Sequence, residues 1–511
     1  MLHRAMPYEV GGTEAYTAAL TRTLMAQGHE CVILAGSGET SPEPRLIVTE
    51  HDGVCLARYS SALPWRHRHH WTRQYDPSAD TLIRRFLGLV QPDVVHVHHW
   101  MRLTTNLVGL CAEQGIPTVV TLHDLWLTCP RELRFTGAGV FCTEPSSPSL
   151  CLNCAEREPW QDDPEIAEAV ALRVELLTRE LELASCIVVP SMAHMMLLQK
   201  VLGSVGERLR VLPHGSIVQV PARLGRPEGG FPLRPLQIGY WGNLWPNKGP
   251  HLLIEAVRCL PDAGRVAVHL YGGDAPSWYQ AKLVAAAEGL PVEFHGPYRP
   301  ADLARVDLDV AVFPSVAHES YAFVLDEAFR CGLPVIVPDR GALPERAGRA
   351  GLVFAPEDSA ALAARILDLL DRPEMLDLLR QEIPPSPSPA MEVHVEELER
   401  IYEEARAAPR PQEPPATDYP RRMAHVLQQL AAREAKLDEL VAEVQRLEKA
   451  GLYTEELGQL LARSREEVDR LTRELAQSRE EVDRFNQHIA RLQRTPLYKL
   501  HELLTKLSRR P

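Results

Sequence analysis

Through residues 1–382 short apolar, β-branched runs alternate with stretches that carry apolar residues at helical spacing, the pattern of βαβ units that build parallel sheets covered on both faces. ECVILAG (30–36), PDVVHVHHW (92–100), IPTVVTLHD (116–124) and ASCIVVPS (184–191) read as strands with their exit loops. EAYTAALTRTLMAQGH (14–29) reads as a helix with Gly28 near its stop. Residues 1–213 are therefore predicted to form one Rossmann-like domain. At 214–234 the composition turns to loop residues, a hinge, and a second series follows over 235–382. There LQIGYWGN, RVAVHLYGG, PVEFHGP, DVAVFPS and LPVIVPD are strand candidates, with helices such as GPHLLIEAVRCL between them. Two α/β domains in tandem set a cleft between the carboxyl ends of their sheets, where such folds take ligands.

Beyond this pair the pattern changes twice. IPPSPSPA opens a Pro-rich turn and cross-over helix at 383–408, and a second Pro-rich stretch makes 409–421 a linker. Residues 422–493 lack proline and are rich in Leu, Glu, Arg and Gln. Leu461, Val468, Leu471, Leu475, Val482, Phe485, Ile489 and Leu492 step by three, four or seven, and SREEVDR recurs at 464 and 478. Such a seam predicts a coiled coil about 100 Å long and a homo-oligomer, with a lone charged helix as the alternative. The tail at 494–511 sets five leucines against Lys499, Lys506, Arg509 and Arg510; it suits either an anionic membrane surface or a cap on the oligomer.

At 511 residues the chain exceeds a single core. A net charge of −13 excludes nucleic acid as the main partner, because neutralising phosphates needs a basic field. No run approaches the roughly 20 apolar residues of a membrane span, so the expectation is a cytoplasmic protein, with peripheral contact at the inner face of the membrane left open. Ten cysteines in such a chain read as reduced thiols.

Three stretches carry candidate chemistry. In EVGGTEAY, Gly11 and Gly12 precede a helix, where a bare backbone and free N–H groups offer an anion site; a plain turn is the alternative. In IGYWGNLWPNKG, Gly242 and Asn243 leave a strand and Lys248 stands before the next helix, placed either for a phosphate or as a solvated helix-start lysine. In HESYAFVLDEAFRCGLPVIV, Glu319 and Glu327 stand eight positions apart. Were all nine residues helical, the two carboxylates would lie about 80° and 12 Å apart, too far to share a proton. Either each has its own task or Glu327 merely solvates a helix face.

Taken in order, VGGTEAY, TLHDLWLTCPR, the G-N-L-x-x-x-K-G at 242–249 and FPSVAHESYAFVLDEAFRCGLPVI resemble the retaining glycosyltransferases of the GT-B fold, family four, over about residues 5–406. The resemblance implies two Rossmann-like domains facing across a cleft and transfer of a sugar from a nucleotide diphosphate sugar to a hydroxyl of a saccharide or lipid-linked acceptor, as in surface-polysaccharide synthesis. It implies that Glu319 contacts the donor sugar and that backbone amides of Ser320, Tyr321, Ala322, Phe323 and Val324 bind its hydroxyls and diphosphate. Glu327 would take the ribose, Lys248 the diphosphate, and His123 would stand near the reacting sugar. Gly11, Gly12, Gly242 and Asn243 would line the donor, and HGPYR (295–299) would hold the base.

The sequence departs from the family twice. Asn243 stands where members commonly carry arginine, which removes one charge from the departing diphosphate. Too few residues precede the glycine loop for the full strand that the family has there. The sequence offers no closely spaced carboxylate pair for a covalent retaining mechanism; the resemblance implies front-face displacement, with no catalytic metal. Two rivals remain: a catalytically weak GT-B module used for assembly through its coil, and a GT-B phosphorylase or epimerase.

Cys129, Cys142, Cys151 and Cys154 fall within 26 residues after His123 and end in C-x-x-C. They suit a structural zinc that pins a loop, or reduced cysteines in that loop. HVHH (96–99) either borders the acceptor or is a set of structurally satisfied histidines, and RHRHHWTRQ (66–74) is a basic surface loop or an acceptor-phosphate contact.

Overall fold

The computed structural model describes residues 11–39, 41–51, 53–61, 75–157, 161–218, 233–273 and 275–408. The expected coiled coil at 422–493, the linker 409–421, the tail 494–511, the stretch 66–74 and most of the hinge lie outside them.

The first half holds β1 (Val32–Gly36), β2 (Arg45–His51), β3 (Val54–Ser60), β4 (Val95–Val97), β5 (Thr118–Thr121), β6 (Cys186–Val189) and β7 (Leu209–Val211). The single sheet expected is found in two hydrogen-bonded pieces. β4, β5, β6 and β7 run parallel in that order, and a separate sheet has the order β1, β3, β2 with β2 antiparallel. β2 and β3 escape the pattern reading, although the Asp-Gly between them is a hairpin signal and Gly53 sits at φ +77°. One core joins the pieces, with Leu34, Ala57 and Tyr59 packed in the same cluster as Val97, Leu107, Val120 and Ile187.

The second half is a six-stranded, all-parallel sheet of β8 (Leu236–Trp241), β9 (Val266–Tyr271), β10 (Val292–Gly296), β11 (Val310–Val312), β12 (Val335–Pro338) and β13 (Gly351–Phe354). Its order β10, β9, β8, β11, β12, β13 is that of a doubly wound fold, and it reverses between β8 and β11. That reversal opens the crevice into which the loops after β8 and β11 run.

Several ties hold the domains together. Helix Met391–Ala407 returns to the first domain, where Met391, Val395, Leu398 and Ile401 pack with Tyr16, Leu20, Val119 and Val188. His394 Nε2 meets the Tyr16 hydroxyl at 2.7 Å, and Tyr402 meets His96 Nδ1 at 2.8 Å. Glu345, from the second domain, accepts the free amides of Met192 and Ala193 at 3.1 and 2.8 Å, at the start of helix Met192–Leu202. A carboxylate there satisfies orphan N–H groups and meets the positive end of the helix. Among the described residues no helix is long and apolar enough to cross a membrane.

Candidate functional site

The interdomain cleft has a volume of about 710 Å³ and takes its walls from both halves. Gly11, Gly12, His123 and His214 come from the first; Gly242, Asn243, Lys248, Tyr298, Glu319 and the loop 320–324, and Glu327 come from the second. Lys248 closes the short helical turn Pro246–Lys248, and the residue after it, Gly249, sits at φ +71°. A β-carbon on Gly249 would lie 2.0 Å from the Pro314 carbonyl oxygen, so this close approach of the two loops requires glycine. The result is an ion pair at the cleft wall: Lys248 Nζ is 2.7 Å from Glu319 Oε1, and the Ser315 hydroxyl donates to the same oxygen at 2.7 Å. Burial raises the Glu319 carboxyl, but Lys248 and the Ser315 hydroxyl outweigh it and hold the group below its ordinary range.

Glu319 is not helical. Helix Val324–Arg330 begins five residues later and has Glu327 in its first turn, so the two carboxylates are separated by a loop and a single turn. That loop is held from outside. The Glu319 carbonyl accepts from Ala342 N at 2.8 Å, and a β-carbon on Gly341 would come within 2.4 Å of that carbonyl oxygen. Ala322 sits at φ +67°, a left-handed conformation unusual for alanine. Arg346 holds it there, donating to the carbonyls of Tyr321 and Ala322 at 3.0 and 3.1 Å while its guanidinium stands 3.7 Å above the Tyr321 ring. The same guanidinium pairs with buried Asp326, whose other oxygen accepts from Ser388 at 2.6 Å.

Glu327 faces the cleft from within a largely apolar wall. Tyr298 OH reaches its Oε2 at 3.4 Å; the Trp241 indole N–H lies near enough to favour the carboxylate but outside hydrogen-bonding geometry. Burial dominates and pushes the carboxyl up to about 7 from 4.5. Because the folded value lies above the unfolded one, the protonated acid contributes stability that is fully present below pH 4.5 and lost as pH rises through about 7. Glu327→Gln should flatten this slope. Between pH 5 and pH 8 the wild type should lose roughly 2 to 3 kcal/mol more unfolding free energy than the variant in denaturant titrations, and equal losses would show that the ionisation is not coupled to folding.

His123 leaves the end of β5 buried, with Nε2 3.0 Å from His98 Nδ1 and its carbonyl accepting from the Ser320 hydroxyl across the cleft. Burial takes its pKa down to about 3 and those of His98 and His214 well below normal, so at neutral pH these rings are hydrogen-bonding groups and not cations. His214 stacks between His123 and Phe323, at 5.0 and 5.6 Å, and its Nδ1 has no partner. Gly12 packs beside the same Phe323.

HVHH does not line the cleft. His96 is bonded to Thr121 and Tyr402, His98 to His123, and His99 to the amide of Met101 and the Asp124 carboxylate, so the acceptor-border reading gives way to satisfied histidines. Of HGPYR, Tyr298 and Arg299 reach the cleft while His295 stands outside it. Cys129, Cys142, Cys151 and Cys154 are free thiols. Among the described residues they supply no set of three ligand atoms close enough for one ion; that geometry occurs elsewhere. Their loop is pinned by arginines: Arg134 donates to the carbonyls of Cys142 and Thr128 at 2.8 Å each, and Arg131 to those of Phe135 and Cys154 at 2.7 and 3.1 Å.

His214, Trp241, Arg346, Asp326 and Ser388 were not singled out from the sequence. The charged pair on Arg346 spans 20 positions and the Ser388 contact 62, beyond any local spacing rule.

Two family profiles match the chain: "Glycosyltransferase Family 4" over residues 10–217 and "Glycosyl transferases group 1" over 235–372, together more than half of its length. Among curated relatives it is 27% identical to the D-inositol 3-phosphate glycosyltransferase of Corynebacterium glutamicum, over 55% of this chain and 65% of that protein. It is 32% identical to the 2-deoxystreptamine glucosyltransferase of Streptomyces kanamyceticus, over 31% and 41%, so the match spans less than two thirds of either relative. The phosphatidyl-myo-inositol mannosyltransferase of Mycobacterium leprae matches at 23% identity over 77% of this chain and 93% of that protein. In fold the chain is similar to the sucrose-phosphate synthase of Thermosynechococcus elongatus, with TM-score 0.57, 20% identity, and 78% and 95% of the two chains covered. It is also similar to Anabaena HepE, solved with UDP and glucose, with TM-score 0.51, 17% identity, and coverage of 79% and 98%. The chain thus belongs to glycosyltransferase family 4, built as two Rossmann-like domains of the GT-B type.

Proposed function

We propose that the chain is a retaining glycosyltransferase that moves a sugar from a nucleotide diphosphate sugar to a hydroxyl of a saccharide, cyclitol or lipid-linked acceptor. The observation that carries this reading is the convergence of Lys248, Glu319, the loop 320–324 and Glu327 on one cleft, opposite Gly11 and Gly12. In this reading Lys248 offers its charge to the diphosphate, Glu319 and the loop amides hold the sugar, and Glu327 takes the ribose hydroxyls. Among the described residues lining the cleft the carboxylates are Glu319, held by Lys248 and Ser315, and Glu327, given to the ribose, which leaves neither for a covalent route. The acceptor oxygen therefore bonds to the anomeric carbon on the face from which the phosphate leaves, and the acceptor proton passes to the departing phosphate oxygen. The enzyme's part is positioning and charge stabilisation. The names of the relatives favour a cyclitol-bearing acceptor, and HepE, solved with UDP, favours a uridine donor.

The test offers a panel of nucleotide sugars and acceptors to the wild type and to Glu319→Ala, following nucleoside diphosphate release and the anomeric configuration of the product. Turnover that is lost in the variant supports the reading, and an inverted product would sink retention. No turnover with any pair would favour the assembly reading, for which the specific observation is Asn243: among the described residues lining the cleft, the lysine and arginine cations are Lys248 and Arg299.

A further inference from the structure

On the outer strands of the second sheet, away from the cleft, His269 on β9 and Glu293 and His295 on β10 bring three ligand atoms together. Glu293 is the register partner of His269. His295 is the residue at which the β9–β10 register shifts, a bulge that re-aims a side chain, and its ring stacks on Tyr271 at 4.4 Å with an interplanar angle of 11°. His269 Nδ1 and His295 Nε2 are 3.0 Å apart, and Glu293 Oε2 is 3.7 Å from each. A triangle with sides of 3.0, 3.7 and 3.7 Å has its centre about 2.0 Å from every corner, the length of a zinc–imidazole bond.

The tautomer is also set for a ligand. Gln237 Nε2 donates to the Pro235 carbonyl at 2.9 Å, which fixes the amide and leaves its oxygen to accept from His269 Nε2 at 2.8 Å. With the proton on Nε2, His269 Nδ1 presents a lone pair toward Glu293 and His295. This arrangement, a histidine oriented through its far nitrogen by a carbonyl, is the usual support of a metal-bound imidazole.

We propose that His269, Glu293 and His295 form a binding site for a divalent first-row transition cation, zinc by preference, with the remaining position open to water. Two imidazoles and one carboxylate suit zinc over calcium or magnesium, which favour all-oxygen shells. The Glu293 side chain is 70% exposed, so the ion has an entry path. His295 immediately precedes Gly296, whose carbonyl accepts from Gly272 N at 2.8 Å, and Tyr298 follows with its hydroxyl on Glu327. An ion here would therefore fix the strand end from which the cleft wall departs.

The full chain, stripped with a chelator, is titrated with zinc chloride by calorimetry and with cobalt chloride by absorption at neutral pH. The wild type should take up one equivalent whose cobalt spectrum lacks the thiolate charge-transfer band that the cysteines would give. His269→Gln and His295→Gln should abolish that equivalent, and Gln237→Leu should weaken it about 10- to 100-fold through lost orientation. Glu293→Gln alters only an exposed carboxylate and should weaken binding without affecting folding. Failure of the wild type to bind zinc would overturn the proposal, and so would a stoichiometry and affinity unchanged in either histidine variant or in Glu293→Gln.

Discussion

Lys248→Met is expected to lower kcat/KM for donor turnover by about two to three orders of magnitude while leaving the protein folded, the loss typical when one preorganised electrostatic group is removed from a transition state. The expectation follows from what surrounds Lys248. It is the cation paired with Glu319, at 2.7 Å, and Asn243 offers no second charge nearby. Arg299, the other lysine or arginine among the described residues lining the cleft, pairs with Asp302. Without Lys248 the Glu319 carboxyl, only 16% exposed, keeps the Ser315 hydrogen bond but loses the charge that outweighs its burial. Its pKa should rise, and with it the pH at which residual activity appears. Steady-state kinetics separates the two ways the lysine can act. A fall in kcat and kcat/KM together marks charge stabilisation of the departing diphosphate, whereas a rise in KM alone marks uniform donor binding and would remove Lys248 from the chemical step. Lys248→Arg should recover only part of the loss, because a planar fork does not reproduce a compact ammonium beside Glu319.

The contrast between Lys248 and its surroundings shows what a sequence can and cannot display. Lys248, the glycines and the two glutamates stand in short motifs because each works from the end of a strand or the start of a helix, and such junctions carry local signals. The second sheet was readable for the same reason: β8 to β12 are apolar runs closed by turn residues. β13, GLVF, is too closely framed by the preceding helical turn to declare itself. The first domain was less readable because β2 and β3 form an antiparallel hairpin whose outer strand alternates poorly; in β2 no residue is fully buried. The spacing of Glu319 and Glu327 argues against a proton-sharing pair, and in the structure Glu319 is bonded to Lys248 and Ser315 and Glu327 to Tyr298. The helical ruler does not apply, since four of the seven intervening positions, 320–323, precede the helix. What gives that loop its shape lies far along the chain: Gly341 beneath the Glu319 carbonyl, Arg346 against Tyr321 and Ala322, and Ser388 against Asp326. None of these carries a motif, because each is specified by a tertiary contact. His269 and His295 likewise look like unrelated strand residues until the β9–β10 register sets them side by side.

Arg346→Met should destabilise the fold by about 3 to 5 kcal/mol, because it removes one partner of a buried ion pair and leaves the other charge in place. The Arg346 and Asp326 side chains are 8% and 1% exposed. After the substitution Asp326 keeps a single hydroxyl partner, Ser388, at 2.6 Å. The arginine also donates to the carbonyls of Tyr321, Ala322 and Pro387 at 3.0, 3.1 and 3.2 Å, so the left-handed Ala322 loses its restraint and the loop amides lose their common orientation. Stability and geometry can be told apart by a second substitution. In Arg346→Met/Asp326→Leu no buried charge is stranded, and an apolar pair of similar volume should restore much of the unfolding free energy. The loop carbonyls stay unbound in the double variant, so donor turnover should remain low even where denaturant unfolding returns toward wild type. Recovery of both together would mean that Arg346 serves only to neutralise Asp326. A single variant destabilised by less than about 1 kcal/mol would mean that the pair carries little of the fold. The expected split, stability regained and turnover still lost, would identify Arg346 as a positioning residue for the loop that separates Glu319 from Glu327.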